Sequence, residues 1–419
     1  MAKLKPRDLE HGVVIPCGEE QRIPAAAAWA QSKGLRGMHY GWPGLTRTRA
    51  GDLLVGASER HVHIDPFGRE VVVRSTDNGR TWSAPEVIFD SLTDDRDIAL
   101  NTLPDGTVVA TWFSSAAWAS DEAVQKHPEW KPMRESLNTD TLRALARGWL
   151  RRSHDGGRTW EERIYPTLVG QHAGPSPLAN GDLIYLGPYR SPHPEFNDRN
   201  NQGQGKTVLA ATRSSDGGCS WELIGAVPGA FKTDPATGKV ATILNENHVL
   251  ELEPGRLLAA FRIQPDACAE AGGPSDPRFQ ACPWLAGKTL HFAHSEDGGR
   301  RWSAPEDSGV FGFPPYLLRL RSGPILCVFA DRVVPRTIRC MLSYDHGRSW
   351  DRSNVHILRQ FDDFSHFAPD MGYPVAVETE SGEVLCIYYA IPKHDQTGYA
   401  ELDMNAWGIL STRFKLDEI

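Results

Sequence analysis

STDNGRTW, residues 75–82, is the stretch that decides the fold, because it returns four more times. SHDGGRTW (153–160), SSDGGCSW (214–221), SEDGGRRW (295–302) and SYDHGRSW (343–350) share its pattern, Ser-x-Asp-x-Gly-x-x-Trp. The chemistry of this octapeptide is that of a turn. The aspartate side chain bonds backbone N–H groups of its own loop. The glycine supplies a left-handed backbone, and the tryptophan folds back to fill the space beneath. Each copy follows a strand-like run such as VVVRS or IRCMLS, so each closes a β-hairpin. The motif is a structural device without a catalytic role.

A second repeat interleaves with the first: an apolar strand, a turn with glycine, and another apolar strand. Its six copies turn at Gly51, Gly106, Gly181, Gly255, Gly323 and Gly382. Two hairpins per unit make a four-stranded blade, and six units make six blades. The sixth unit lacks the octapeptide and ends in WGILSTRF, residues 407–414. A strand near residues 12–16 is expected to complete that blade, which removes an exposed edge. The expected fold is all-β, a six-bladed β-propeller of four-stranded blades, with residues 1–419 as one domain. A propeller grows by adding blades, so this length need not split into two cores. Residues 116–147 and 265–283 break the rhythm and read as long loops on a rim, where insertions tend to carry function.

Composition excludes several classes. A formal net charge of −8 with no basic run argues against nucleic acid as a partner. No stretch approaches the ~20 apolar residues of a spanning helix, so no membrane partner is expected. The N-terminal MAKLKPRDLEHG has no apolar segment behind its basic residues, so a soluble, cytoplasmic protein is expected. The seven cysteines include no CxxC pair and read as small buried thiols rather than a disulfide framework.

In each blade the residues just before the first strand and just after the second converge on one mouth, opposite the glycine turns. His39, Tyr40, Glu59, Arg60, His61, His63 and Asp65 belong to this mouth in blade one. Arg96 and Asp97 follow in blade two, Gln171 and His172 in blade three, and Glu246, Asn247, His248 and Arg262 in blade four. Blade five gives Tyr316, Asp331, Arg332 and Arg336; blade six gives Asp370, Tyr373 and Tyr388. Such a polar funnel, rich in arginine, suits a polyhydroxylated anionic ligand. His61 and His63, two apart, read as facing one side of a strand. With His172 and His248 they lack metal-site spacing, so they read as histidines hydrogen-bonding sugar hydroxyls. No metal and no cofactor is expected.

Octapeptides (Asp boxes) and hairpins together resemble the sialidase superfamily over nearly the whole chain. The resemblance implies a tyrosine nucleophile in the last blade, which DMGYPVAV matches with Tyr373. It implies a glutamate that activates this tyrosine, which ENHVLEL matches with Glu246, and a substrate-binding arginine at Arg262. It implies an acid/base aspartate in the loop after the first hairpin, which HVHIDPFG matches with Asp65. Burial is expected to raise the Asp65 pKa toward neutrality. A tyrosine nucleophile suits an anomeric centre that carries a carboxylate, since a neutral phenol is repelled less than a carboxylate.

This sequence departs from the family in blade one. The family opens that blade with Phe/Tyr-Arg-Ile-Pro, and its arginine is one of three that clamp the substrate carboxylate. Here YGWPGLT puts Gly41 in that place, and the literal Arg-Ile-Pro at residues 22–24 does not lead into the hairpin. Losing one charge-assisted bond costs about 1.5–3 kcal/mol. Arg60 and His61 are the candidates to compensate, and Arg332 or Arg336 the third clamp. The leading expectation is a retaining exo-glycosidase for a terminal acidic sugar, sialic-acid-like or uronic. A propeller polysaccharide lyase, with Tyr373, His172, His248 and Arg262 at work, is the second expectation. A non-catalytic carbohydrate-binding propeller is the third.

Overall fold

The computed structural model describes residues 5–17, 22–33, 38–190, 207–233, 240–265, 285, 287–333, 335–361, 371–390 and 407–419. Asp370 and residues 266–283 lie outside them. Six antiparallel sheets follow one another along the chain, and the fold is a six-bladed β-propeller. The N-terminal strand Glu10–Ile15 pairs with the last strand, Gly408–Phe414, and so supplies the fourth strand of the sixth blade. Blade four departs from the expected four strands. Its first strand, Val240–Glu253, is long enough for its early half to pair with an extra strand, Phe231–Thr233.

The octapeptides behave as turn chemistry requires. Asp77 Oδ1 accepts the N–H groups of Arg80 (3.0 Å) and Thr81 (2.9 Å), while Ser75 Oγ accepts that of Gly79 (2.8 Å). Asp155, Asp216, Asp297 and Asp345 repeat the pattern. These bonds favour the ionised form, and those to Thr81 hold the Asp77 carboxyl well below the usual carboxylate range.

Two compact units are distinguishable. The larger contains Met1–His11, Ala173–Cys386 and Thr412–Ile419, and the smaller Gly12–His172 and Ile387–Ser411. In the larger unit, Leu186, Leu209, Leu244, Leu257 and Phe261 belong to one apolar cluster that joins blades three and four. Leu258, Phe292, Leu317, Cys327 and Phe329 join blades four and five. In the smaller unit blades one and two come together at Gly44, where an added Cβ would stand 2.7 Å from the Ile98 carbonyl. No larger residue fits there.

Blades one, two and four share a second feature. Their first strands slip register between Gly41 and Gly44, Arg96 and Ala99, and Asn245 and His248. Each slip is a bulge that re-aims one side chain. The residue at each bulge has a left-handed backbone: Trp42 (φ 49°), Asp97 (φ 64°) and Glu246 (φ 42°). Tyr373 (φ 49°) matches them in blade six. For non-glycine residues such backbone costs on the order of 1–3 kcal/mol each, and it clusters at functional sites.

The 116–147 loop is ordered structure. It carries α1 (Asp121–Lys126), α2 (Lys131–Ser136) and α3 (Thr139–Leu145). Ser120 caps α1 through the Ala123 N–H (3.1 Å), and Asn138 caps α3 through the Thr141 N–H (2.7 Å). Trp118 Nε1 anchors the loop on Thr93 Oγ1 (2.8 Å), and Glu129 accepts the Trp29 indole N–H (2.8 Å).

Candidate active site

In the larger unit the bulge of blade four and the first strand of blade six present a glutamate and a tyrosine to each other. The Tyr373 hydroxyl donates to Glu246 Oε1 at 2.7 Å. Glu246 Oε2 pairs with Arg262 Nη1, which comes from the second strand of the same blade. The register explains that pair: Arg262 lies opposite Asn245 on the ladder, next to the bulge. Burial disfavours the Arg262 cation, but Glu246 and Tyr373 outweigh it and hold its pKa above the usual guanidinium value. Glu246 therefore meets Tyr373 with one oxygen and a fixed cation with the other.

Arg332 joins this cluster. Its Cζ lies 5.6 Å from the Tyr373 ring centroid and 4.9 Å from that of Phe313. Arg336 is buried just ahead of the Thr337–Ser343 strand, where its carbonyl accepts the Phe361 N–H (2.9 Å). His248 is tied into the fold: its ring stacks on Tyr316 (4.0 Å) and its Nδ1 accepts the Leu317 N–H (3.1 Å). That bond leaves the proton of the neutral ring on Nε2.

The smaller unit corrects several expectations. Arg60 is fully buried, held by Asp94 Oδ1 (2.8 Å) and the carbonyls of Asp95 (2.7 Å) and His63 (3.1 Å). His61 is also fully buried, its ring edge against Trp29, whereas His63 is exposed. The strand stops at Arg60 and the chain bends, so the two histidines do not share a strand face. Neither Arg60 nor His61 offers its side chain to a ligand. His172 is buried in blade three.

Asp65 differs most from expectation. It is fully buried and accepts the His61 N–H (2.7 Å), His61 Nδ1 (3.0 Å) and the Phe67 N–H (2.9 Å). Burial pushes its pKa up, but these donors outweigh burial and hold it below the ordinary value. These donors favour its carboxylate form, opposite in direction to the rise expected from burial.

Sequence reasoning missed Lys288 and Phe313 of the larger unit, which no hairpin repeat flags. It gave Trp42 no role and did not flag the backbone of Asp97, whose side chain lies 3.6 Å from Arg96 Nε. The signal for both was present. Trp42, Asp97, Glu246 and Tyr373 each stand nine places before a turn glycine, namely Gly51, Gly106, Gly255 and Gly382. Gly41, where the family's arginine was expected, precedes Trp42, whose ring carries the guanidinium carbons of Arg60 and Arg96, each 4.7 Å from its centroid. Among the described residues no group of three or more His, Cys, Asp or Glu is placed to hold a metal ion. No helix among them is long and apolar enough to cross a membrane.

Comparison with solved structures agrees with the fold. A protein of unknown function from Dyadobacter fermentans matches with a TM-score of 0.65 and 21% identity, over 97% of this chain and 98% of that one. The Hadza microbial sialidase Hz136 matches with a TM-score of 0.56 and 18% identity, over 91% of this chain and 66% of that one. The α-L-arabinanase of Penicillium chrysogenum, solved with arabinobiose, matches with a TM-score of 0.56 and 14% identity, over 98% and 99%. No protein-family profile matches the sequence, and no curated protein does. These likenesses define the chain as a sialidase-like six-bladed β-propeller in fold. By their names, two of these three neighbours are a sialidase and an arabinanase.

Proposed function

We propose that this propeller is a retaining exo-glycosidase that removes a terminal acidic sugar from a glycan, with Tyr373 as nucleophile and Glu246 as its base. The observation that carries the reading is the 2.7 Å bond from the Tyr373 hydroxyl to Glu246, made by two residues on left-handed backbone. Two strained positions that meet in one hydrogen bond fit a preorganised pair. Glycosidases among the solved neighbours agree with the reading.

In the first step the Tyr373 oxygen bonds to the anomeric carbon while the bond to the leaving oxygen breaks. Glu246 takes the phenolic proton, and Arg262 balances the charge that Glu246 carries. In the second step water attacks the same carbon and gives its proton to the group that protonated the leaving oxygen, while the released Tyr373 oxygen regains its own proton from Glu246. Arg332, over the tyrosine ring, favours the charge that develops on the phenol. The proton for the leaving oxygen comes from a group outside this cluster, and the donors around Asp65 favour its carboxylate form.

A panel of 4-nitrophenyl and 4-methylumbelliferyl glycosides, sialyl and uronyl included, tests the proposal, since aryl leaving groups depart with little acid assistance. Aryl alcohol released by the wild type and lost in Tyr373→Phe is the expected result. New near-ultraviolet absorbance on a uronate polysaccharide, with every aryl glycoside silent, would replace the proposal with a lyase. Silence on both would leave a carbohydrate-binding propeller.

A further inference from the structure

The bulge that aims Glu246 opens the ladder of blade four. Asn245 pairs with Arg262 and His248 with Ala260, so Glu246 and Asn247 together stand opposite Phe261. A left-handed glutamate is strained and persists where its surroundings over-determine it. The two residues after Glu246 supply that constraint. Asn247 is buried, and its Nδ2 donates to the Leu186 carbonyl (3.3 Å) in the second strand of blade three. Blade three leaves room for this bond because it opens short. Its first strand is Ser176–Pro177, paired with Ile184 and Leu183, so that ladder ends two residues before Leu186. His248 reaches the other way. Its Nδ1 accepts the Leu317 N–H (3.1 Å) of the first strand of blade five, and its ring stacks on Tyr316 (4.0 Å). Consecutive side chains of a strand point to opposite faces, so adjacent residues grip the blades on both sides.

Blade two is built on a related plan. The N–H of its bulge residue, Asp97, donates to Ser58 Oγ (2.8 Å) in the second strand of blade one. In both bulges the second strand of the preceding blade holds the strained position by a side-chain bond to backbone. Blade four adds the hold on the following blade. All of its parts, Leu186, Asn247, His248, Leu317 and Tyr373, belong to the larger unit. We propose that Asn247 and His248 are positioning residues for the Tyr373–Glu246 pair. Fastened to blades three and five, they keep the bulge in place and so fix the Glu246 carboxylate between the Tyr373 hydroxyl and Arg262. They act through Glu246 and need no contact with substrate. A base must lie within hydrogen-bond reach of the proton it takes, so a bulge that relaxes removes the base without altering it chemically. The inference rests on the glycosidase reading of Tyr373 and Glu246, and concerns how their meeting is enforced.

The test compares Asn247→Leu, His248→Asn and His248→Phe with the wild type, each as the full chain. Leucine matches asparagine closely in size and removes the donor. At position 248 asparagine places Oδ1 near the site of the histidine Nδ1 and keeps the acceptor, whereas phenylalanine keeps the ring on Tyr316 and removes the acceptor. Crystal structures of the variants read the Tyr373–Glu246 distance, 2.7 Å in the wild type, and the backbone of Glu246. Asn247→Leu and His248→Phe should carry the two groups beyond hydrogen-bond reach. They should also lower kcat on the 4-methylumbelliferyl glycoside that the wild type cleaves by about ten- to a hundred-fold, with KM within about two-fold, the effect of a displacement near 1 Å. His248→Asn should recover most of that loss. A packing role alone predicts the reverse order at position 248, and that order would overturn the inference. An undisturbed Tyr373–Glu246 bond in Asn247→Leu or in His248→Phe would overturn it as well. Should the leucine variant fail to fold, Asn247→Asp, equal in shape and unable to donate as a carboxylate, carries the same expectation. A wild type without turnover defeats the glycosidase reading, and the distances in the variant structures still decide whether these two residues hold the pair.

Discussion

The protein contains one constellation twice, with different outcomes. In the larger unit Tyr373 donates to Glu246 at 2.7 Å, and Glu246 pairs with Arg262. In the smaller unit Tyr40 donates to Glu59 at 2.7 Å, and Glu59 pairs with Arg69 (2.6 Å) and Arg22 (3.2 Å). Residue types and the phenol-to-carboxylate distance are the same. Access and backbone are not. The Glu246 side chain is 17% exposed and that of Glu59 0%. Glu246 and Tyr373 have left-handed backbone, whereas Tyr40 stands two residues ahead of Trp42, its blade's strained position. Burial first, and Glu59 second, push the Tyr40 phenol far above the ordinary tyrosine pKa. Tyrosine beside glutamate is therefore no sign of chemistry by itself. Two residues along the strand separate the pair proposed to meet substrate from a pair closed off inside a blade.

The comparison breaks first on rate. Tyr373→Phe is expected to lower kcat on the aryl substrate by on the order of 10⁴-fold, while Tyr40→Phe leaves kcat of the folded enzyme within about two-fold. Steady-state kinetics on both variants decide, and equal losses would end the distinction. Next in size is stability. Glu59→Gln leaves Arg69 and Arg22 without their carboxylate and should cost about 3–5 kcal/mol. Glu246→Gln, at the more accessible site, should cost under about 1.5 kcal/mol. Urea unfolding of the two variants measures the gap, which the comparison requires to be large.

The third effect is a pH slope of the smaller unit. Burial pushes the Asp95 carboxyl up to about 7, against the bonds from Ser114 and Ser91 that favour its charge. Its folded-state pKa lies above the unfolded value of about 3.9, so the folded state holds this proton longer. The stability it contributes is complete below about pH 4 and is lost as pH rises through 7. Asp95→Asn stays neutral throughout, so the wild-type melting temperature should fall from pH 4 to 7 relative to this variant. Parallel curves would show that Asp95 is ionised across the range.

The fold was legible because its signals are local. Octapeptide aspartates and turn glycines do their work within a few residues of themselves, so the pattern is the mechanism. Tyr373, Glu246 and Arg262 were legible only through resemblance. Arg60, His61 and Asp65 were misread because no sequence pattern says where the chain bends after Arg60 or that Asp94 and Trp29 close over that bend. Arg22, whose Arg-Ile-Pro looked like a stray motif, is bonded to Tyr40 and Glu59. That contact links stretches with no shared periodicity. The meeting of Lys288 with the Phe313 ring (5.1 Å) was hidden for the same reason, because it joins the lead-ins of strands in two successive blades.

The register nine places before each turn glycine holds Trp42, Asp97, His172, Glu246, Pro314 and Tyr373, six residues of six kinds. In four of the six, Trp42, Asp97, Glu246 and Tyr373, the backbone is left-handed, so the strain belongs to the address and not to one side-chain chemistry. One side chain per repeat can therefore be exchanged at this address while the blade that carries it keeps its course.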